Sequence, residues 1–169
     1  MRNQNLILKP EFASPVDFIP LASPHISSHY GQRILNGKPD FHDGIDFANK
    51  SHNCNDRLNP IGTDVYAICD GVICYDYDKY NDIFRFDPQH RIDSAGNMIV
   101  LDIIYNGLLF HVRYLHLVDN CVQNRQAVKK GERLGRYGDV GKSYGPHTHM
   151  DWSVADWSQK IDFTPIMFV

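Results

Sequence analysis

The sequence has 169 residues, of which 43% are hydrophobic and 22% charged, and this composition is typical of one globular domain with a single core. Its formal net charge is −3 and its pI is about 6.3, so it lacks the basic character that binds a nucleic-acid backbone or an anionic membrane. No run of about 18 apolar residues occurs, and prolines break the first 20 residues before an apolar signal core can form. We therefore expect no nucleic-acid partner and no membrane insertion.

Strand-forming residues dominate the middle of the chain. Four segments rich in Val, Ile, Leu, Tyr and Phe predict successive antiparallel strands: residues 63–68, 71–78, 97–105 and 108–117. Asp70-Gly71 predicts a two-residue turn between the first two strands, and Asn106-Gly107 predicts a type I′ hairpin between the last two. Residues 119–131 predict at most one or two helical turns. The chain is thus predicted to be mainly β, an antiparallel sheet with little helix.

Two polar stretches, residues 49–59 and 79–96, interrupt the strand-rich body. Each is longer than an ordinary strand connection, and loops of that length often carry function. From the residues alone, they are either walls of a groove or surface insertions.

The cysteines show no Cys-x-x-Cys spacing, which argues against a zinc ribbon or a thioredoxin-like site. They are Cys54, Cys69, Cys74 and Cys121. Cys69 and Cys74 flank the predicted turn as diagonal neighbours, a separation of roughly 7–8 Å that is too wide for a disulfide. We expect free thiols.

Two clusters of potential metal ligands stand far apart in the sequence. In YGPHTHMDW (144–152), an extended strand would point His147 and His149 to one side and Thr148 to the other. In FHDGIDFA (41–48), His42 and Asp46 are four residues apart, a spacing that returns both side chains to one face. A catalytic zinc site uses three protein ligands and leaves one position for water. His42, Asp46 and one histidine of the pair supply that number, although polar residues on a solvated face would show the same pattern.

Several motifs in a fixed order carry a resemblance to a known family. They are FHDGIDFA, PIGTDVYAICDGVI, GNMIVLDI, RYLHL and VKKGERLGRYGDVGKSYGPHTHMDW. Together they resemble the lysostaphin-type (LytM-like) zinc endopeptidases of peptidoglycan, from near residue 27 to about residue 154. The pattern HxxxD followed by HxH is moderately specific, and the Gly-rich segment before GPHTH together with the Leu-His-Leu step makes the resemblance strong. It implies the duplicated-hybrid-motif type of β fold, with long loops walling a groove.

The resemblance also implies roles for individual residues. His42, Asp46 and His149 would bind one zinc ion per chain. His147 would lie beside the attacking water and His116 would face it, so both are expected to act as acid–base catalysts. A neutral imidazole can accept the proton of the water, and a second one can donate to the oxyanion or the leaving amine. Which histidine takes which role stays open.

Strict alternation places His116 and His111 on opposite faces of strand 108–117, so only one of them can face the metal. We choose His116 because its Leu-His-Leu motif matches the family. His116 would then share a face with Tyr114. We interpret His111 as a structural polar residue. The remaining histidines are expected to be solvated, namely His25, His29, His52 and His90.

Two departures from the family pattern concern groups around the metal. The acid after HxH is often Glu in relatives and is Asp151 here, so a contact to a ligand would have to form at closer range. Some relatives use a tyrosine at the oxyanion. Tyr30 is a candidate for that role, although packing explains it equally well.

The resemblance implies hydrolysis of peptide bonds in the stem peptides or cross-bridges of bacterial peptidoglycan. The alternatives are an inactive relative that serves as a binding or scaffold module, and a zinc D,D-carboxypeptidase. We expect residues 1–24 to be an extension or linker and residues 25–169 to be the endopeptidase domain. Activity at the wall without an export signal in this sequence favours a phage lysin, a virion tail component or one domain of a longer protein.

Overall fold

The computed structural model of the chain describes residues 6–16, 26–48, 64–74, 76–77, 80–81 and 95–169. In these ranges it contains fourteen strands and one short helix. The strands are β1 (Ile26–Ser28), β2 (Gly31–Leu35), β3 (Lys38–His42), β4 (Ile45–Phe47), β5 (Asp64–Tyr66), β6 (Gly71–Cys74), β7 (Asp76–Tyr77), β8 (Tyr80–Asn81), β9 (Asn97–Tyr105), β10 (Leu108–Asn120), β11 (Ala127–Val128), β12 (Arg133–Tyr137), β13 (Thr148–Val154) and β14 (Lys160–Ile161). The helix α1 is Thr164–Met167. The prediction of a mainly β chain with little helix is confirmed.

Ten of the described strands form one antiparallel sheet. Its main path runs β1-β4-β13-β10-β9-β6-β11, with β14 paired to β13 and with β12 joining β10 to β5. The long strands β9, β10 and β13 lie side by side at its centre. Two small hairpins, β2-β3 and β7-β8, stand apart from this sheet.

Two Asn-Gly turns set the register of the hairpins. Asn106 and Gly107 both have positive φ, as a type I′ turn requires, and Tyr105 pairs with Leu108 across them. The predicted hairpin between β9 and β10 is therefore confirmed. Asn36-Gly37, with φ of 51° and 77°, makes the same kind of turn between β2 and β3.

The hairpin predicted at Asp70-Gly71 is wrong. Strand β5 pairs with β12, whereas β6 pairs with β9 and β11, so the two segments are not neighbours. Among the described residues with positive φ, neither Asp70 nor Gly71 occurs, and a type I′ turn needs both. The Asp70 carboxylate instead accepts hydrogen bonds from Nζ of Lys129 and the backbone N of Lys130, at 2.8 and 2.9 Å.

The helical turn predicted within residues 119–131 is also wrong. Strand β10 extends to Asn120, and β11 follows after a short turn and pairs with β6 through Val72 and Gly71. Val128 is buried in the core by this pairing. Burial and ladder hydrogen bonds at the sheet edge outweigh the weak helix propensity of the segment.

The two faces of the central strands differ in chemistry. On β13, Met150 and Trp152 are fully buried and belong to the apolar core. The alternate residues of β13 carry polar groups on the other face, where His149 is paired with Asp46 and Asp151 with Arg113. A row of charged side chains thus lies on the opposite side of the sheet from the core.

A β-bulge interrupts the alternation of β10 at its end. Tyr114 is paired with Ile99 and Leu117 with Asn97, so β10 has one residue more than β9 in this interval. His116 lies in the bulge with φ of 64°, a left-handed conformation that non-glycine residues rarely adopt. Tyr114 points to the core, where its hydroxyl accepts a hydrogen bond from the backbone N of Ile68. His116 therefore does not share the face of Tyr114 as predicted.

Part of the N-terminal segment packs against the same core. Phe12 and Val16 are buried in it, and Leu8 forms a bridge with Phe168. Residues 17–25 lie outside the described ranges. Across the described part of the chain, no helix has the length and apolar character needed to cross a membrane.

Candidate metal and catalytic site

Three side chains from separate strands converge at the sheet surface. His42 ends β3, Asp46 lies in β4, and His149 lies in β13 directly opposite Asp46. Nε2 of His42 is 3.0 Å from Oδ1 of Asp46 and 3.0 Å from Nδ1 of His149, and Nδ1 of His149 is 2.9 Å from Oδ1 of Asp46. The three residues are 4%, 9% and 8% exposed. Three potential ligand atoms thus form a nearly equilateral triangle in a buried position.

The protonation of these groups fits a bound cation. Nδ1 of His42 lies 2.8 Å from the backbone oxygen of His29, which can only accept, so Nδ1 donates and Nε2 presents a lone pair. A carboxylate oxygen and the second imidazole nitrogen face that lone pair at the same distance. A single proton can form a hydrogen bond within only one of the three atom pairs, so it cannot account for all three short distances. One cation could be held by all three atoms, and two imidazole nitrogens with one carboxylate oxygen are a donor set that catalytic zinc sites use.

The site is electrostatically prepared for positive charge. Burial raises the pKa of Asp46, but the adjacent imidazoles of His147, His149 and His42 outweigh it and hold that pKa well below its usual range. Burial lowers the pKa of His149, but Asp151 and Asp46 outweigh it and raise the pKa to about 9. Both shifts favour a carboxylate anion beside positive charge, which is the electrostatic condition for holding a cation at the triad.

Two further histidines adjoin the triad, each with its tautomer set by a backbone oxygen. Nδ1 of His147 donates to the oxygen of Gly145 at 2.7 Å, and Nδ1 of His116 donates to the oxygen of Val140 at 2.7 Å. Their rings are 4.8 Å apart, and Nε2 of His147 is 3.4 Å from Oδ1 of Asp46. In each residue Nδ1 makes the backbone contact, and Nε2 of His147 faces the triad.

The environment of His116 keeps its imidazole neutral. Burial, and to a smaller extent the neighbouring His147, lower its pKa to about 4. A neutral imidazole at physiological pH can accept a proton and later return it. The bulge brings His116 to this position, since unbroken alternation would send its side chain into the core.

The five side chains line one cavity of about 860 Å³. One wall is the β2-β3 hairpin, which contributes Ile34 and Phe41, and the other is the segment 142–146, which contributes Tyr144. Stretch 49–59, which was predicted to wall the groove or form an insertion, lies outside the described residues, as does 79–96 apart from residues 80–81 and 95–96. The described walls are therefore different segments from those considered in the sequence.

Gly44 and Asp151 lie behind the metal-facing atoms. A Cβ added at Gly44 would come within 2.5 Å of Nε2 of His149, so only glycine leaves room for this imidazole. Asp151 reaches His149 despite its short side chain, with Oδ2 3.4 Å from Nε2. Its two oxygens accept hydrogen bonds from Nε and Nη2 of Arg113, at 2.8 and 2.6 Å.

Residues 40–162 match the profile of peptidase family M23. The chain belongs to this family. It is 37% identical over 100 residues to the peptidoglycan DD-endopeptidase ShyA of Vibrio cholerae, a match that covers 59% of this chain and 20% of ShyA. The chain thus spans about a fifth of the length of that relative.

Solved structures show the same fold. The catalytic domain of the antimicrobial peptidase lysostaphin from Staphylococcus simulans superposes with a TM-score of 0.57 at 28% identity, over 85% of this chain and 91% of that domain. A zinc-containing peptidase from Vibrio cholerae superposes with a TM-score of 0.57 at 29% identity, over 89% of this chain and 38% of that protein. The predicted resemblance to lysostaphin-type peptidases is confirmed.

Other predicted residues of this M23 domain lie away from the cavity. His111 is fully buried, stacks on Trp157 at 4.0 Å, and contacts Asp102 and the backbone oxygen of Ala155. Tyr30 packs edge-on against Phe41 at 5.4 Å and is not among the described residues that line the cavity. Cys69, Cys74 and Cys121 are free thiols, as expected, whereas Cys54, His25, His52 and His90 lie outside the described residues.

Sequence reasoning missed two contributors to the site. Tyr144 lines the cavity and is 67% exposed, but it was not singled out within YGPHTHMDW. The hairpin wall was missed as well, although Asn36-Gly37 is the same turn signal that identified the β9-β10 hairpin.

Proposed function

We propose that this M23 domain is a zinc-dependent endopeptidase that hydrolyses peptide bonds in the stem peptides or cross-bridges of bacterial peptidoglycan. The observation that carries the proposal is the buried triangle of His42, Asp46 and His149, with the imidazoles of His116 and His147 beside it. The names of the relatives, a peptidoglycan DD-endopeptidase and an antimicrobial peptidase, support the substrate class.

His42, Asp46 and His149 would hold the zinc ion. When bound, zinc polarises a carbonyl group and lowers the pKa of water toward about 7. The chain supplies proton transfer, since Nε2 of His147 lies 3.4 Å from Oδ1 of Asp46 and is placed to accept the proton of the attacking water. His116, held neutral by burial, is placed to accept that proton at Nε2 and to pass it on to the leaving amine.

The cavity walls suit an extended peptide. The exposed side chains of Ile34 and Phe41 on the hairpin and of Tyr144 on the opposite segment offer apolar contact area on both sides of the triad. Such contacts hold the scissile bond in place, and positioning contributes a large part of catalysis.

This activity places the enzyme at the bacterial cell wall, in an extracellular, periplasmic or virion-associated location. Its partner is the peptide portion of peptidoglycan, together with further domains of a parent protein or a virion tail. A phage lysin and a domain of a longer wall hydrolase are the two origins that we propose. We also propose that residues 25–169 are the catalytic domain and residues 1–24 an extension, part of which packs against it.

The metal assignment is tested by metal analysis of the purified protein. We expect about one zinc per chain, removed by a chelator together with activity. Replacing His42, Asp46 or His149 with Ala should abolish stable binding in each case. Full zinc content in all three variants would contradict the assignment.

The reaction is tested by mass spectrometry of peptidoglycan digested with the zinc-loaded protein. We expect cleavage inside the cross-linked peptides, with peptidoglycan from several bacteria compared to identify the bond. Release of terminal D-alanine alone would indicate a D,D-carboxypeptidase. Binding to peptidoglycan without any product would indicate a scaffold module.

A further inference from the structure

A group of charged side chains lies behind His149, on the side away from the triad. Nε2 of His149 is flanked by Oδ2 of Asp151 at 3.4 Å and by Oδ1 of Asp43 at 3.6 Å. Asp43 belongs to the turn between the ligands His42 and Asp46. The two carboxylates therefore come from the two segments that carry the metal ligands.

The ammonium group of Lys160 bridges these two carboxylates. Its Nζ donates to Oδ2 of Asp43 at 2.5 Å and lies 3.1 Å from Oδ2 of Asp151. Lys160 is on β14, where it pairs with Ser153 of β13, so it shares the polar face of β13 with His149 and Asp151. The lysine thus connects the turn of the first metal motif to the strand of the second.

Several features make this bridge more than an ordinary surface ion pair. Asp151 is completely buried, and the side chain of Lys160 is 27% exposed. Exposed ion pairs contribute little because water screens them, whereas charges around a buried carboxylate are screened much less. Asp43, His149 and Asp151 form a second group whose side chains are spaced as metal ligands could be. In this group the ammonium of Lys160 contacts both carboxylates and balances their negative charge.

We propose that Lys160 is a positioning residue of the metal site, which holds Asp43 and Asp151 against His149 and so fixes the two ligand-bearing segments relative to each other. The inference rests on the proposed zinc site. Groups that orient metal ligands in this way typically change metal affinity by about 10–100-fold when they are removed. Lys160 touches neither the metal-facing atoms nor the cavity in this arrangement.

The test compares zinc dissociation constants of the full chain, measured by competition with a chromophoric chelator. Lys160→Met keeps the length of the side chain and removes its charge, and we expect zinc affinity to fall by about 10–100-fold. Lys160→Arg keeps a cation that can contact both carboxylates and should stay much closer to wild type. The matched control is Lys129→Met, which breaks an exposed ion pair with Asp70 and should leave zinc affinity unchanged.

Asp43→Asn removes the same bridge from its other end and serves as a second probe, since Asp43 is half-exposed and its replacement leaves the core intact. It should weaken zinc binding to a similar degree, and its combination with Lys160→Met should add little more. Melting of the metal-free variants separates positioning from folding, because a purely structural lysine would lower the melting temperature without changing zinc affinity.

The outcomes distinguish this inference from the proposed function. Wild-type zinc affinity in Lys160→Met, or equal losses in the Met and Arg variants, would overturn the positioning role and leave the zinc peptidase proposal standing. Failure of the wild-type chain to bind zinc would overturn both.

Discussion

Gly44 is the position where a single added methyl group should disturb the metal site most directly. It lies in the turn between His42 and Asp46, and an added Cβ would be 2.5 Å from Nε2 of His149, 2.5 Å from the backbone oxygen of Met150 and 2.7 Å from Cε1 of His149. Carbon atoms approach their neighbours to about 3.5 Å, so Gly44→Ala must separate the turn and β13 by about 1 Å. Because the Met150 oxygen belongs to the main chain, rotation of a side chain cannot relieve the clash.

This displacement is large on the scale of metal coordination. Ligand distances in a functional site vary by about 0.2 Å, so a shift of about 1 Å exceeds the tolerance roughly fivefold. We expect zinc affinity to fall by about 100-fold, the upper end of the effect for groups behind a ligand. Overpacking also lowers stability by about 1–3 kcal/mol, which is a fall in melting temperature of roughly 3–9 °C for a domain of this size.

The assay is chelator competition for zinc, together with thermal melting of the metal-free protein. Gly107→Ala is the control, since Gly107 has φ of +77° and no neighbouring atom within 4 Å of an added Cβ. That variant should lose some stability through backbone strain and keep its zinc affinity. Wild-type zinc affinity in Gly44→Ala would show that the turn adjusts without moving a ligand, and would refute the reasoning.

The remaining predictions concern the residues around the triad. His116→Ala and His147→Ala should each retain zinc and lower kcat by about 10²–10⁴-fold in a peptidoglycan assay. The double variant should lose little more activity than either single variant. Full activity in one of the single variants would remove that histidine from the mechanism. His111→Ala should instead lower the melting temperature and leave zinc content unchanged, because it breaks two buried contacts. Loss of turnover without loss of stability would contradict the structural role of His111. Tyr144→Ala should raise KM more than it lowers kcat, whereas Tyr144→Phe should stay near wild type. A loss of kcat alone in both variants would indicate a chemical role for the hydroxyl group.

Local sequence patterns predicted the central hairpin well. Strand β9 is Asn97–Tyr105, as the apolar segment 97–105 predicted, and Asn106-Gly107 forms the expected turn. Its signal is local, since a type I′ turn depends on two residues and the apolar flanks specify the strands. Asn36-Gly37 carries the same turn signal, but its flanking segments GQRIL and KPDFH are not apolar runs, and the hairpin was overlooked.

Pairing between distant strands could not be predicted in this way. Asp70-Gly71 has the composition of a hairpin turn, yet β5 and β6 pair with strands more than 20 residues away. Which strands pair depends on how much of each whole strand is buried in the sheet. A two-residue turn motif carries no information about that burial. Spacing predicted that His42 and Asp46 share a face and that His147 and His149 share another, whereas the family resemblance selected His149. The meeting of these side chains depends on the pairing of β4 with β13.

His116 lies beside the triad, although strict alternation along the strand placed it on the wrong face. Alternation along β10 assigned His116 to the face of Tyr114, which is the core face. The bulge reverses this assignment and brings His116 to the triad, where backbone groups of Ala95, Gly138 and Val140 hold it. A left-handed conformation at a non-glycine residue costs on the order of 1–3 kcal/mol and occurs often at functional sites. Periodicity cannot detect a bulge, whereas the family resemblance carried the information.

The buried and half-buried charges of the polar face are compatible with a stable fold because the carboxylates have cationic partners. Arg113 forms two hydrogen bonds with Asp151, Lys160 contacts Asp43, and Nη1 of Arg33 lies 3.7 Å from Oδ2 of Asp46. An unpaired buried carboxylate would be protonated or would destabilise the sheet by several kcal/mol, on the order of the penalty for an isolated buried ion. The low-dielectric surroundings that make these pairs necessary also keep His116 neutral.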